Sequence, residues 1–304
     1  MTETMMPVNG IELCTETFGE ATDPALLLLA GEASSMDWWD DEFCRRLAAG
    51  GRFVIRYDHR DTGRSTSFPA GPAYSGIDLM NDALGVLDAL HIRAAHLVGL
   101  SLGGALAQRM AVEHPTRVLT LSLIATTAGP AAAAAPDDGP VSDGAVSSDG
   151  DADLAPPVRT GTIRVATRTA TATDLEVDWS DRRSAVTQLI AEIRAGGGPF
   201  TPDEPYLRRL AERVFDRSTD LSAARTNHRL AGHCLPVRDR LGTITAPTVV
   251  LHGTLDRRFP AQHPEELARA IPGARLVWLD GVGHEVPPQA LWNTVLTEIL
   301  GTAP

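Results

Sequence analysis

The run His96-Leu97-Val98-Gly99-Leu100-Ser101-Leu102-Gly103-Gly104 restricts the fold of this chain more than any other stretch. It sets G-x-S-x-G between an apolar segment and an Ala-rich segment that suits a helix. A serine on a sharp strand-to-helix turn needs glycine on both sides, because a side chain there meets neighbouring backbone. The next residue, Leu102, then offers its backbone N–H at a helix N-terminus, where developing negative charge is stabilised. Alone, the motif also suits an ordinary Gly-rich turn, so the rest of the sequence has to decide.

Two downstream signals decide it. Pro247 to Gly253 reads as a short buried strand, and Asp256 follows its C-terminal end. Arg275 to Leu279 reads as another strand, followed by Gly281-Val282-Gly283-His284. Between Asp256 and His284 there is room for one helix, Pro264 to Ile271, and one strand. That βαβ spacing brings both residues to the same sheet edge. Alone, Asp256 also reads as a turn residue and His284 as a loop histidine. The joint order Ser, Asp, His is that of the α/β-hydrolases. In that arrangement Ser101 is the nucleophile, His284 the general base and acid, and Asp256 the residue that orients the imidazole. Thr126 and Thr127, not an acid, follow the sixth strand, which leaves Asp256 as the candidate carboxylate.

The chain resembles the α/β-hydrolase superfamily over residues 5–127 and 236–301. The turn Tyr57-Asp58-His59-Arg60-Asp61-Thr62-Gly63-Arg64-Ser65 is similar to the Y-D-x-R-x-x-G-x-S turn of that superfamily. Its H-R-D-T-G-R-S form is similar to a bacterial subgroup that includes the aclacinomycin methylesterases. Related turns occur in esterases, lactonases and cofactor-free peroxidases. The resemblance implies a second oxyanion donor in the loop after Ala30-Gly31. Many members read His-Gly there, followed by a small or apolar residue; this chain has Ala30-Gly31-Glu32. By position Gly31 borders the substrate and the Glu32 N–H is the donor. A carboxylate aimed into the site opposes a negative transition state. Glu32 is therefore expected to point away, to be held by an arginine such as Arg60, Arg64 or Arg257, or to contact the substrate.

Periodicity gives the remaining architecture. Ile11 to Phe18 alternates as an early antiparallel strand, and Ala25 to Ala30 reads as a strand covered on both faces. Phe53 to Tyr57, Ala95 to Leu100 and Val118 to Ala125 read as further strands. Asp41 to Ala49, Asp78 to Leu90 and Leu102 to Glu113 read as helices between them. This alternation predicts an α/β fold, a mostly parallel, doubly wound sheet with helices on both faces. Residues 1–127 and 236–304 would form the α/β-hydrolase core, with Val237 to Leu241 returning the chain to the sheet. Residues 128–160 are dominated by Ala, Asp, Gly, Ser and Pro, too poor in apolar surface to offset ordering, and are expected to be a disordered linker. Residues 161–235 would form a helical cap inserted after the sixth core strand. Its helices are predicted over Ala185–Ile193, Tyr206–Phe215 and Leu221–Leu230. A cap excludes water and walls the substrate. Trp179, Tyr206 and Phe215 are its candidate lining residues, and each also suits a place in the cap's own core.

Composition narrows the function. The net charge of −12 argues against a nucleic-acid partner. All basic residues are arginine, which excludes Schiff-base chemistry on lysine. No apolar run reaches the roughly 18 residues of a membrane span. The N-terminal sequence lacks a basic and apolar leader pattern, and the scattered Cys14, Cys44 and Cys234 do not suggest disulfides; both fit a cytoplasmic protein. His228 and His233 share no helical face, so no metal is expected, and no phosphate or dinucleotide loop is present. The expectation is a serine hydrolase that cleaves a carboxylic ester of a small apolar or aromatic molecule through an acyl-enzyme without a cofactor; the subgroup resemblance implies a methyl ester. Two other readings stay open. One is peroxidase-like, acyl-transfer or other non-hydrolytic chemistry on the same residues. The other is a catalytically silent binding module.

Overall fold

The computed structural model describes residues 3–129, 177–231 and 237–302. Eight strands among these residues form one sheet. They are β1 (Thr4–Val8), β2 (Ile11–Phe18), β3 (Ala25–Leu29), β4 (Phe53–Tyr57), β5 (Ala95–Leu100), β6 (Val118–Ile124), β7 (Thr248–Gly253) and β8 (Arg275–Leu279). Their order is β1-β2-β4-β3-β5-β6-β7-β8. The β1–β2 and β2–β4 pairs are antiparallel, and every pair from β4 to β8 is parallel. The doubly wound parallel sheet predicted from the sequence is the fold observed.

The period-two alternation of side chains divides the sheet into two dry faces. On one, Leu27, Leu29, Leu97, Leu121, Leu123 and Val250 join the apolar stripes of α2 (Gly76–Ala89), α3 (Leu102–Glu113) and α7 (Gln262–Ala270). On the other, Leu26, Leu28, Val54, Val98, Val249 and Leu251 meet α1 (Asp41–Ala49) and α8 (Trp292–Gly301). Burial on both faces explains why β3 is an unbroken apolar run. Helix α2 starts two residues before the expected Asp78, because Ser75 is its N-cap and Asp78 completes a capping box as N3. Strand β1 and helix α8 were not anticipated. The expected return through Val237 to Leu241 is a 3-10 turn over Arg238–Thr243.

Three further helices follow the sixth strand: α4 (Arg182–Gly196), α5 (Glu204–Arg217) and α6 (Leu221–Leu230). Each starts on an aspartate, Asp181, Asp203 or Asp220, whose side chain accepts a backbone N–H of the first turn. The apolar faces of α4 and α5 form a separate cluster built on Val186, Leu189, Ile190, Leu207, Ala211 and Val214. Most of the expected linker, and the start of the expected cap, lie in 130–176, outside the described residues. His233 and Cys234 lie outside them as well.

The Asp58 turn ties α5 to the sheet edge. Asp58 accepts the N–H groups of Met36 and Arg64 at 2.8 and 3.0 Å and a guanidinium N–H of Arg217, from α5, at 2.9 Å. Gly63 has φ of 51°, and a Cβ there would lie 2.1 Å from the Asp58 carboxylate. Ser65 closes the turn by donating to the Asp58 carbonyl at 2.6 Å while accepting the Cys14 N–H at 2.9 Å. The Y-D-x-R-x-x-G-x-S pattern thus has a structural cause: it builds a rigid carboxylate socket.

The elbow glycines are set by contact distance. A Cβ on Gly99 would lie 2.4 Å from the Gly103 carbonyl oxygen, and one on Gly103 would lie 2.1 Å from that of Leu29. Gly103→Ala is therefore expected to destabilise the fold by more than about 3 kcal/mol, since neither partner is a side chain that can turn aside. Urea unfolding at equilibrium measures this. A loss below about 1 kcal/mol would show that α3 can move back from β3.

Candidate active site

Ser101 joins β5 to α3 in a conformation that an L-residue rarely adopts, with φ 51° and ψ −111°. Its neighbours hold it there. The Ser101 N–H donates to the Ile124 carbonyl at 2.9 Å, and the Thr126 hydroxyl donates to the Ser101 carbonyl at 2.8 Å. Strain of this kind persists only where surrounding contacts over-determine the backbone. It projects the serine hydroxyl beyond the C-terminal edge of the parallel strands, where ligands bind in open α/β sheets.

The two other residues singled out in the sequence meet it there. Ser101 Oγ lies 3.1 Å from His284 Nε2, and His284 Nδ1 lies 2.8 Å from Asp256 Oδ2. A carboxylate accepts, so Nδ1 carries the proton and Nε2 is left to accept from the serine hydroxyl. The second oxygen, Asp256 Oδ1, accepts the N–H groups of Arg258 and Phe259 at 2.8 and 2.9 Å. Burial pushes the Asp256 carboxyl up, but the His284 hydrogen bond and charge and the Phe259 N–H outweigh it, holding the group below the usual carboxylate range. The Phe259 ring meets the His284 imidazole edge-on at 5.3 Å. From the other side, the His284 N–H donates to Gly196, the last residue of α4, at 2.7 Å.

Gly31 lies beside the serine: a Cβ built on it would be 3.7 Å from the Ser101 Cβ. The chain turns over Gly31–Ser34, closed by a Ser34 N–H bond to the Gly31 carbonyl at 3.2 Å. Of the two N–H groups named from the sequence, that of Leu102 starts α3 directly after Ser101 and that of Glu32 belongs to this turn, directly after Gly31. The Glu32 carboxylate has arginine partners other than those expected. Arg258 Nη2 is 3.4 Å from it and Arg229 Nε 3.9 Å. Arg60 is instead committed to Asp82 through a buried two-pronged pair at 2.6 and 2.7 Å, and Arg64 to Glu3 at 2.7 Å. Arg257 is not among the partners found.

The three aromatic candidates have other partners. The Trp179 ring carries the Arg225 guanidinium at 4.1 Å. The Tyr206 hydroxyl donates to Asp40 at 2.8 Å. Phe215 packs on the α4–α5 apolar cluster. None of these contacts involves Ser101, Asp256 or His284. Sequence reasoning missed two residues near the site. His252, fully buried at the end of β7, donates through Nε2 to the Phe259 carbonyl at 2.8 Å, with Asp256 3.3 Å away. His228, on α6, reaches the Gly31–Ser34 turn itself, where it accepts the Ala33 N–H.

The chain matches the alpha/beta hydrolase fold family over residues 24–290, and it belongs to that family. It is 34% identical over 298 residues to the rhodomycin D methylesterase DauP of Streptomyces sp. (strain C5), covering 93% of this chain and 92% of that protein. It is 32% identical over 302 residues to the rhodomycin D methylesterase DnrP of Streptomyces peucetius, with the same coverage of 93% and 92%. The crystal structure of the enol-lactonase from Burkholderia xenovorans LB400 superposes with a TM-score of 0.69 at 23% identity. It covers 98% of this chain and 100% of that one, a likeness that bears on fold alone. Among the described residues no helix is long and apolar enough to cross a membrane.

The Glu32 pairs are long and their arginines half-exposed, so they contribute little stability. Glu32→Gln keeps the shape and is expected to change aryl-ester turnover by less than about threefold. A hundredfold loss in a folded variant would show instead that the carboxylate acts on substrate or on a proton.

Proposed function

We propose that this chain is a carboxylic ester hydrolase that works through an acyl-enzyme on Ser101. The single observation that carries the reading is the hydrogen-bonded line from Ser101 Oγ through His284 to Asp256. In the proposed reaction Ser101 Oγ attacks the ester carbonyl carbon and its proton passes to His284 Nε2. The carbonyl oxygen becomes an oxyanion held by the Leu102 and Glu32 N–H groups, each donor worth about 3 kcal/mol. When the tetrahedral species collapses, the C–O bond to the alcohol breaks and His284 gives the alcohol its proton. Water then adds to the acyl group with His284 again taking the proton; the acyl–Oγ bond breaks, His284 returns that proton to Ser101 Oγ, and the free acid leaves. Asp256 stays ionised throughout and stabilises the imidazolium.

The finer reading is a methylesterase acting on rhodomycin D or a molecule like it. The similarity to DauP and DnrP, which runs over nearly the whole of each chain, supports it. Methanol is a small leaving group, so discrimination would lie on the acyl side. Gly31 would border that side, while Trp179, Tyr206 and Phe215 would line or brace the cap.

The test is methanol release from rhodomycin D and other methyl esters, alongside hydrolysis of a panel of aryl esters and lactones. Ser101→Ala and His284→Ala should each lower turnover by about 10³-fold or more, and Asp256→Asn by about 10⁴-fold. Circular dichroism should show the fold unchanged. Turnover in Ser101→Ala within about tenfold of the unmodified enzyme would exclude the serine mechanism. Hydrolysis of aryl esters without any methyl-ester turnover would exclude the methylesterase reading alone.

A further inference from the structure

The turn that carries the second proposed oxyanion donor is not held by its own bonds alone. Its third residue, Ala33, has φ of 55°, a position that suits glycine or asparagine. The hydrogen bond that fixes the middle peptide comes from a distant part of the chain. The Ala33 N–H donates to His228 Nδ1 at 3.0 Å, and His228 Nε2 donates to the Arg60 carbonyl at 2.9 Å. A backbone N–H only donates and a carbonyl only accepts, so these two bonds fix the neutral Nε2–H tautomer. The other end of the same peptide, the Glu32 carbonyl, accepts from the Ser34 hydroxyl at 3.2 Å.

We propose that His228 is a positioning residue for the oxyanion loop, through which helix α6 sets the Glu32 N–H against the reacting oxygen. The proposal rests on the ester-hydrolase reading for its kinetic consequence. His228 is 2% exposed. Burial pushes its imidazole below the ordinary value, outweighing the Arg60 carbonyl and the Asp61 and Glu32 carboxylates that favour the charged form. Protonation would place an N–H on Nδ1 facing the Ala33 N–H and break the clip. Behind it, His59 stacks against the His228 ring at 6.1 Å, edge to face, and is itself held neutral, pushed down to about 3 by burial and by His228.

The helix does not depend on this histidine. The neighbouring Asn227 donates to Asp61 at 3.0 Å and to the Phe68 carbonyl at 2.9 Å, and just before α6 the Thr219 N–H donates to the Gly63 carbonyl at 2.8 Å. Removing the imidazole should therefore free the turn without freeing α6. A group that only braced the fold would lower stability and activity together; a group that orients an oxyanion donor lowers kcat and spares KM.

Three variants separate these cases. His228→Ala removes both bonds. His228→Asn puts Oδ1 near the place of Nδ1 and keeps an acceptor for Ala33. His228→Gln puts its amide N–H near the place of Nε2 and keeps only the donor to Arg60. The expected result is a fall in kcat for p-nitrophenyl acetate of about 30-fold in His228→Ala, with KM within about threefold. His228→Asn should recover kcat to within about fivefold, and His228→Gln should not. Hydrogen exchange of the Gly31–Ser34 amides should quicken in His228→Ala and slow again in His228→Asn. Unchanged kcat in His228→Ala, or losses in all three variants that follow their melting temperatures, would overturn the proposal. If the unmodified protein turned over no ester, the ester-hydrolase reading would fall, and the exchange data would decide the clip: unchanged exchange in His228→Ala would overturn it.

Discussion

The approach of helix α3 to the sheet at Gly99 and Gly103 governs the rest of the site. With no side chain at either position, the first turn of α3 drops to within contact of the Leu29 carbonyl. That closeness forces Ser101 into its rare conformation and leaves the Leu102 N–H at the exposed end of a helix. Any outward shift of α3 would relax Ser101 and carry its hydroxyl away from His284. The dry layer between the sheet and α3, with Leu102, Leu106, Ala107 and Met110 in it, keeps the helix down, so the energy that holds the strained residue comes from ordinary burial elsewhere.

Loops at one sheet edge complete the arrangement, and each is fixed by a buried polar group. Asp256 is locked by two backbone N–H donors before it meets His284. The Met36 segment hangs on Asp58, which Arg217 also grips together with Asp37 and Glu3. The Gly31–Ser34 turn hangs on His228. Arg217 closes α5, His228 lies on α6, and Gly196 ends α4, so all three helices inserted after the sixth strand reach loops around Ser101. Besides the substrate wall proposed for it, the insertion thus makes direct hydrogen bonds to the Gly31–Ser34 turn, the Asp58 turn and the His284 loop.

The parts legible in the sequence were those with local causes. The glycines around Ser101 answer to distances of a few ångströms along neighbouring elements. Asp256 and His284 each follow a strand, so the βαβ order placed them. Helices α4, α5 and α6 showed their periodicity, and their aspartate caps mark their starts. Strand β1 lies at the sheet edge and carries Pro7, which weakens a strand pattern in the sequence. Helix α8, by contrast, carries Trp292, Val295, Leu296 and Ile299 at helical spacing, a periodicity present in the sequence. What the sequence could not display was partner choice over long separations. His228 and Ala33 are 195 residues apart, and Glu32 and Arg258 are 226 apart. Arg60, one of the arginines expected for Glu32, is instead paired with the buried Asp82, because a desolvated guanidinium needs a desolvated carboxylate.

The central claim is that Ser101 is the activated nucleophile of this fold. Reaction with a fluorophosphonate, followed by intact mass and peptide mapping, tests it most directly. The account predicts one adduct per chain, on Ser101, formed in the unmodified protein and absent in His284→Ala. An adduct on any other residue, or equal labelling when His284 is removed, would contradict it.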